Sequence, residues 1–498
     1  MSRRRRAGAR SLLAGCALAL LALTAAPAAA QESWDAIYIG GDKVGHTHIR
    51  VAPVKDGQGR ELQRVQVNTV LSFRRGRDRV NMELRYGTIE TNDGSVLRLD
   101  TRTLAGKEEL RTFGDVTDGT MTLVLEGGGQ RREVPIPWPA DVRGPYAAEL
   151  SLSRDPIQPG ASRELRTFIP DLNRICTTRL KAVSKEDVPL GGGATRNLLR
   201  VEQTVVDPDG KPMPELDTTI WVDDAGQILK SSTALLGGME SYRTTRAGAL
   251  APNGRFDLLA ATIIKAERPI TNANAARAAT YNITLTGSDP ATIFPADQRQ
   301  QFTPGSTAGT GQLAVRTDSP LAGAPAASPP DAQYTRANPL INSDDAGVQA
   351  LMRRAVGAQA DPWRRAVAIQ DWVFKNMKRK NFSTAFASAK EVARNLEGDC
   401  SEHGVLTAAM CRAAGIPTRV VVGLVYAPDL GGFGPHLWNE VFVNGRWVAI
   451  DATFNQSEVD ATHLKLAESS LDGVAPFEAF LPVVRIFNAL KIDAVELR

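Results

Sequence analysis

The apolar residues of this chain change their period once, and that change limits what it can fold into. From about Gln31 to Leu250 they alternate. Val65, Val67, Thr69, Leu71 and Phe73 are interleaved with Gln66, Asn68 and Ser72; Met82, Leu84 and Tyr86 repeat the pattern, as does Thr218 to Val222. A period of two places one set of side chains on one face of a strand. Turn signals at Gly40-Gly41, Asp93-Gly94 and Asp224-Ala225-Gly226 separate the runs, so residues 31–250 read as an antiparallel β domain. A smaller β-rich unit is expected over 251–316, around Thr280-Tyr281-Asn282-Ile283-Thr284-Leu285. Residues 317–333 are rich in Pro, Ala and Ser and nearly devoid of large apolar residues, the composition of a linker.

Beyond the linker the period becomes helical. Ser343 is placed to cap a helix with Val348, Leu351, Met352 and Ala355 on one face, and Asp361-Pro362 opens another through Met377. Ser388 and Glu391 make a capping box for a short helix that Gly398 is placed to end. The expected fold class is therefore multidomain: N-terminal all-β antiparallel, then an α+β region over 334–498. Few contacts cross a linker, so 334–498 is expected to fold and act alone.

A chain of 498 residues is too long for one ordinary core, which agrees with this division. Its formal charge of +4 is misleading. Arg3, Arg4, Arg5, Arg6 and Arg10 fall in the first thirty residues, which hold no acid; the remainder balances 54 basic against 55 acidic residues. A nearly neutral body gives no electrostatic case for nucleic acid. Those thirty residues read as an export signal: an arginine cluster, an apolar run from Leu12 to Ala26, and Ala28-Ala29-Ala30 before Gln31. The run is too short for a membrane span, and no later segment offers one. Leu13-Ala14-Gly15-Cys16 is similar to a lipoprotein processing site, but almost no apolar segment precedes it, so a periplasmic or secreted protein is the preferred reading. Cleavage leaves Cys176, Cys400 and Cys411, an odd number. Cys400 and Cys411 share a helix, about 16 Å apart at about 1.5 Å per residue, beyond disulfide reach. Cys400 is then free unless Cys176 reaches it.

Chemistry concentrates in the last third. Gly398-Asp399-Cys400 leads into a helical stretch from Ser401 to Ala414, closed by Gly415-Ile416-Pro417. The unpaired N–H groups at a helix start favour a thiolate there. Gly404, one turn on, leaves room for another backbone. Downstream, Asn444-Gly445 is a strong two-residue hairpin signal. That register faces Val443 with Arg446, Phe442 with Trp447 and Trp438 with Asp451. His436 then lies diagonally across from Asp451 on one face, at a Cα spacing of about 7–8 Å that the side chains can bridge. Leu437, Val441, Val443, Val448 and Ile450 form the opposite, apolar face. A thiol, a base and a carboxylate that orients the base are the parts a cysteine nucleophile needs.

Gly398 to His403, Arg412 to Arg419, His436 to Glu440 and Trp447 to Asp451 occur in order, and together they resemble the transglutaminase-like superfamily over roughly Tyr334 to Arg498. The resemblance implies a papain-like α+β core, a Cys400–His436–Asp451 triad, and attack on an amide or ester carbonyl of a peptide or protein through a thioester. The acceptor is water or an amine. A binding or scaffolding protein of the cell envelope that merely retains the fold is the rival reading, which the complete triad disfavours. No cofactor is expected, and no calcium loop is recognisable.

Among the neighbours, His403 rivals His436, but an i, i+3 pair with Cys400 leaves no carboxylate behind it, so packing beside the site is expected. Asp399 and Glu402 read as helix-start acids and Cys411 as a buried helix residue. Trp438 is a candidate wall of the substrate cleft, as is Trp447, with half-buried strand positions the alternative. His463 receives no role. His46 and His48 share a strand face without a third metal ligand. Cys400 N–H is expected as one oxyanion donor; a second is not evident.

Overall fold

A computed structural model of the protein describes residues 30–104, 109–191, 193–318, 328–377, 387–472 and 478–498. The expected export signal with Cys16, and positions 319–327 of the expected linker, lie outside them.

Fifteen strands, from Gln31–Ile39 to Met239–Thr244, form one large sheet. Within each of two runs, Gln31–Ile39 to Gln130–Pro137 and Ser162–Ile169 to Met239–Thr244, strands adjacent in sequence pair antiparallel, and Gln31–Ile39 joins the runs by pairing with Met239–Thr244. Only Val142–Arg143 pairs in parallel, with Ser162–Ile169. The sheet owes its length to alternation: in Glu61–Arg75, Val65, Leu71 and Phe73 are buried while Arg64 and Gln66 face outward. It curls rather than lying flat, since Ser95 bridges Arg143 and the Tyr86 hydroxyl donates to Asp171 at 3.0 Å, joining strands distant in the order.

The 251–316 unit does not close on itself. Its strands Gln300–Pro304, Thr310–Arg316 and Ala278–Leu285 are completed by Leu490–Leu497 from the end of the chain, with Ile283 opposite Ile492. Ile264–Lys265 pairs with Phe433 and Gly432 of another sheet, and the Tyr281 hydroxyl donates to Ala461 O at 3.0 Å in the interior. One apolar core runs from Tyr281 and Leu313 through Leu351, Ile369, Val405 and Leu437 to Ile486 and Ile492. A fragment starting at 334 would expose that core and leave Leu490–Leu497 without its neighbour strand. One apolar core thus contains residues from both sides of 317–333, which counts against the expected independence of 334–498.

The C-terminal region packs helices Ala346–Val356, Pro362–Asn376, Ala389–Asn395 and Cys400–Ala413 against a sheet ordered Ile264–Lys265, Gly432–Val443, Thr418–Ala427, His463–Ser469, with Arg446–Ile450 also pairing with Gly432–Val443. Asp345, not Ser343, caps the first helix, its carboxylate accepting Gly347 N–H at 2.8 Å. Asp361 and Ser388 cap the next two as expected. The short third helix stops before Leu396, which is left-handed at φ 52°, so Gly398 does not end it. Gly398 instead lies where a Cβ would overlap the Glu402 side chain.

Candidate active site

Cys400 is the first residue of its helix, and Asp399 is the cap. Asp399 Oδ1 accepts Ser401 N–H at 2.9 Å, and Glu402 Oε2 accepts Asp399 N–H at 3.0 Å, a reciprocal capping box. Ser401 to Arg412 are all buried, while Cys400 itself is partly exposed. The helix is therefore clamped along its length with its Cys400 end open.

What faces that end is set one turn along. Leu437 fills the space that a side chain at Gly404 would occupy, and Asn439 Nδ2 donates to Gly404 O at 3.0 Å. The approach at Gly404 is thus made by side chains of the Gly432–Val443 strand, not by its backbone. Locking Leu437 and Asn439 onto the helix fixes His436, the preceding residue, beside Cys400.

The hairpin has the expected register, with Asn444 and Gly445 at φ 52° and 77°. Ladder pairing ends at Asn439 and Ile450, after which Asp451 exchanges backbone hydrogen bonds with Gln456 at 2.8 Å each. Asp451 Oδ2 accepts from His436 Nε2 at 2.7 Å, with both side chains at or below 4% exposure. Burial disfavours charging His436, but the Asp451 carboxylate and hydrogen bonds to Asp451 and Cys400 outweigh it and raise its pKa to about 9. Burial pushes Asp451 up, yet the charge and hydrogen bond of His436, with His463, hold it well below the usual carboxylate range. With Nε2 engaged by Asp451, Nδ1 is the His436 nitrogen left for the thiol.

His463 belongs to the site, which sequence reasoning missed. Its Nε2 lies 3.1 Å from Asp451 Oδ2 and its Nδ1 3.1 Å from Asp460 Oδ1. Both partners only accept hydrogen bonds when ionised, an arrangement that favours the ring with both nitrogens protonated. Burial alone would lower its pKa; the hydrogen bonds and charges of Asp451 and Asp460 raise it. The order is Cys400, His436, Asp451, His463, Asp460. Nothing local marks this, because His463 reaches Asp451 from the next strand and Asp460 reaches His463 from the turn that leads into it. Among the described residues, His436, Asp451 and His463 are also the only His, Cys, Asp or Glu group close enough to hold a metal, but both facing nitrogens are spent on Asp451.

Trp438 does not line a cleft. It is 2% exposed and packs with Val421, Ala449 and Val459 behind His436, its ring 5.2 Å from His463. Strand alternation places it and His436 on one face but cannot say which lies nearer the rim. The aromatic at the rim is Phe454, 40% exposed, with its ring centred 5.0 Å from that of His436. Trp447 is half-buried, under the Arg419 guanidinium and against Tyr334 and Phe442. His403 packs as expected, its Nδ1–H donating to Asp399 O at 2.6 Å. His46 and His48 flank Trp34.

All three described cysteines are thiols, so Cys176 does not pair with Cys400. Burial pushes Cys176 up to about 11 and Cys411 to about 12, which leaves both unreactive.

Residues 349–452, which contain Cys400, His436 and Asp451, match the Transglutaminase-like superfamily. The C-terminal region carries a transglutaminase-like core. An uncharacterized protein of Haemophilus influenzae is 29% identical over 161 residues, covering 27% of this chain and 42% of its own length. The chain thus spans less than half of that relative. Among solved structures, a Cytophaga hutchinsonii protein proposed to be a cysteine protease is 15% identical and covers 45% of this chain and 86% of its own, at a TM-score of 0.27. The periplasmic domain of TgpA from Pseudomonas aeruginosa, bound to ethylmercury, is 14% identical over 37% of this chain and 92% of its own, at 0.21. A beta-barrel-like protein domain of unknown function from Brucella abortus is 13% identical over 43% of this chain and 96% of its own, at 0.30.

Proposed function

We propose that the protein is an exported cysteine enzyme that takes acyl groups from amide bonds of peptides or proteins through a thioester on Cys400. The observation that carries this is a cysteine at the open end of a buried helix, close enough to raise the pKa of a histidine whose Nε2 is held by a buried carboxylate at 2.7 Å. Export rests on the arginine cluster and apolar run before Gln31, and no described helix is long and apolar enough to cross a membrane.

With a pKa of about 9, His436 is an imidazolium at neutral pH, and the attacking species is the deprotonated Cys400 sulfur beside it. The sulfur attacks the carbonyl carbon, and the C=O electron pair moves to oxygen. Cys400 N–H, without a partner within its helix by position, is available to that oxyanion. Collapse breaks the C–N bond, and the leaving amine takes the proton from His436 Nδ1. Neutral His436 then removes a proton from water or an amine as it attacks the thioester, and the thiolate leaves. Asp451 holds the ring throughout, and His463 holds Asp451. Phe454 covers the outer face of His436 and is the cleft wall in place of Trp438.

The test is to incubate the full chain with glutamine-containing peptide donors, quench in acid, and map acyl adducts by mass spectrometry. An adduct on Cys400 that is absent from His436→Ala supports the reading; binding without any adduct favours the scaffold reading. Adding hydroxylamine separates transfer to an amine from hydrolysis.

A further inference from the structure

One hairpin tip of the β region touches both arms of the site. Strands Glu61–Arg75 and Asp78–Thr91 meet at Gly76-Arg77, and Arg75 Nη1 donates from that tip to Asp399 Oδ2. The Asp399 side chain is 1% exposed and that of Arg75 21%, so water screens the pair poorly. Asp399 Oδ1 meanwhile takes Ser401 N–H at 2.9 Å and the Ser401 hydroxyl at 2.7 Å. The carboxylate that caps the Cys400 helix is therefore gripped from outside by a residue of the other region.

The tip is itself fastened. Arg74 N–H donates to Phe256 O at 2.9 Å and Gly76 N–H to Asp257 Oδ1 at 3.0 Å. Asp257 caps the helix Leu258–Thr262, and Ile264 just beyond it pairs with Phe433 on the strand that carries His436. The hairpin reaches Cys400 through Asp399 and His436 through its strand.

The charges around Cys400 need this cation. Burial and the neighbouring Asp399 push Glu402 well above the usual carboxylate range; burial also works against ionised Asp399, but Arg75 leads the interactions that hold it low. Of the two buried carboxyls, the one that Arg75 reaches is the one whose ionised form is favoured.

We propose that Arg75 is a positioning residue of the Cys400 site: it compensates and orients the Asp399 carboxylate, so that the reactive cysteine is complete only with the β region docked. This rests on the reading of Cys400 as nucleophile. Without Arg75, an uncompensated carboxylate lies beside the sulfur, where like charge disfavours a thiolate, and the first helical turn loses its outer anchor.

The test follows alkylation of Cys400 by iodoacetamide against pH in the full chain, site by site, with Cys411 as internal reference and circular dichroism as the check on folding. Arg75→Met keeps the aliphatic stem and removes the charge; it should slow Cys400 alkylation at pH 6 by on the order of tenfold and move the profile to higher pH. Arg75→Lys should recover part of the loss. Asp399→Asn keeps a good cap without the charge, and in that background Arg75→Met should add nothing. Arg75→Met with the wild-type profile, or an equal further loss in the Asp399→Asn background, overturns the inference. If Arg75→Met does not fold, the Arg75→Lys profile decides: a shift between pH 6 and 8 supports the inference, and wild-type behaviour overturns it. Wild-type Cys400 reacting no faster than Cys411 at pH 6 would instead overturn the nucleophile reading, and this inference with it.

Discussion

In the β region Arg243 lies between Asp35 and Glu149, 2.7 Å from each; in the C-terminal region Asp451 lies between His436 and His463, at 2.7 and 3.1 Å. Both are sequences of alternating charge, the first partly buried and the second fully buried. Neighbouring carboxylates hold Arg243 protonated against the cost of burial, so its cluster can brace the sheet and do nothing else. The cations of the second cluster are histidines, which gain and lose protons near neutrality. The same arrangement is inert in one region and able to move a proton in the other, and the exchangeable proton makes the difference.

The comparison is strained hardest at its reactive end. His436→Ala should lower thioester formation on Cys400 by about a thousandfold or more while the fold persists, because His463 still holds Asp451. Rapid-quench adduct mapping with circular dichroism checks this, and a smaller loss than that of His403→Ala would reverse the assignment of the base. The inert cluster should answer in stability instead. Arg243→Ala leaves two partly buried carboxylates without a cation and should cost about 1–3 kcal/mol in urea unfolding. The rate of Cys400 alkylation per folded molecule should stay unchanged.

Acid and base should separate the regions next. His436 is raised above its unfolded value of about 6.5, so its contribution to stability is whole below that and is lost as pH rises through about 9. Asp451 is depressed, so its contribution is present above about 4 and lost as pH falls through the folded value. Asp35 and Glu149 are raised, chiefly by burial, and therefore favour the folded state more as pH falls. Hydrogen exchange from pH 7 towards pH 3 should show the hairpin Gly432–Ile450 opening before the strands around Arg243. Simultaneous opening would mean that the clusters do not act locally. Cys400 alkylation should also lose its assistance by His436 above about pH 9.

His463→Gln tests the second histidine more finely. Removing the imidazolium leaves all of the Asp451 charge on His436, so the basic edge of the alkylation profile should move above about 9 and turnover should fall about tenfold. An edge that stays or moves down would show that His463 only packs. The smallest effect is expected at Gly404. An alanine there meets Leu437 and should cost about 1–3 kcal/mol in urea unfolding.

Much of the molecule was legible from residue order because the deciding interactions are short-range. Alternation and glycine turns specify the hairpins of the large sheet, since within its two runs each strand pairs with its neighbour in sequence. Asn444-Gly445 sets the register that brings His436 to Asp451, and Asp399 announces the start of the Cys400 helix. Periodicity, turn chemistry and capping act over a few residues and leave marks in the chain.

Contacts between distant segments left no such marks. That Trp438 lies behind His436 and Phe454 at the rim depends on the sheet's neighbours, which alternation does not name. Leu490–Leu497 completes the sheet of Ala278–Leu285 across about two hundred residues, so composition at 317–333 suggested a boundary that the core ignores. His463 joins Asp451 from another strand, and Arg75 joins Asp399 from another region, through charges whose pairing only burial enforces. Local chemistry settled which residues could act; the packing of remote segments decided which of them meet, because a buried charge must find its partner wherever the fold brings one.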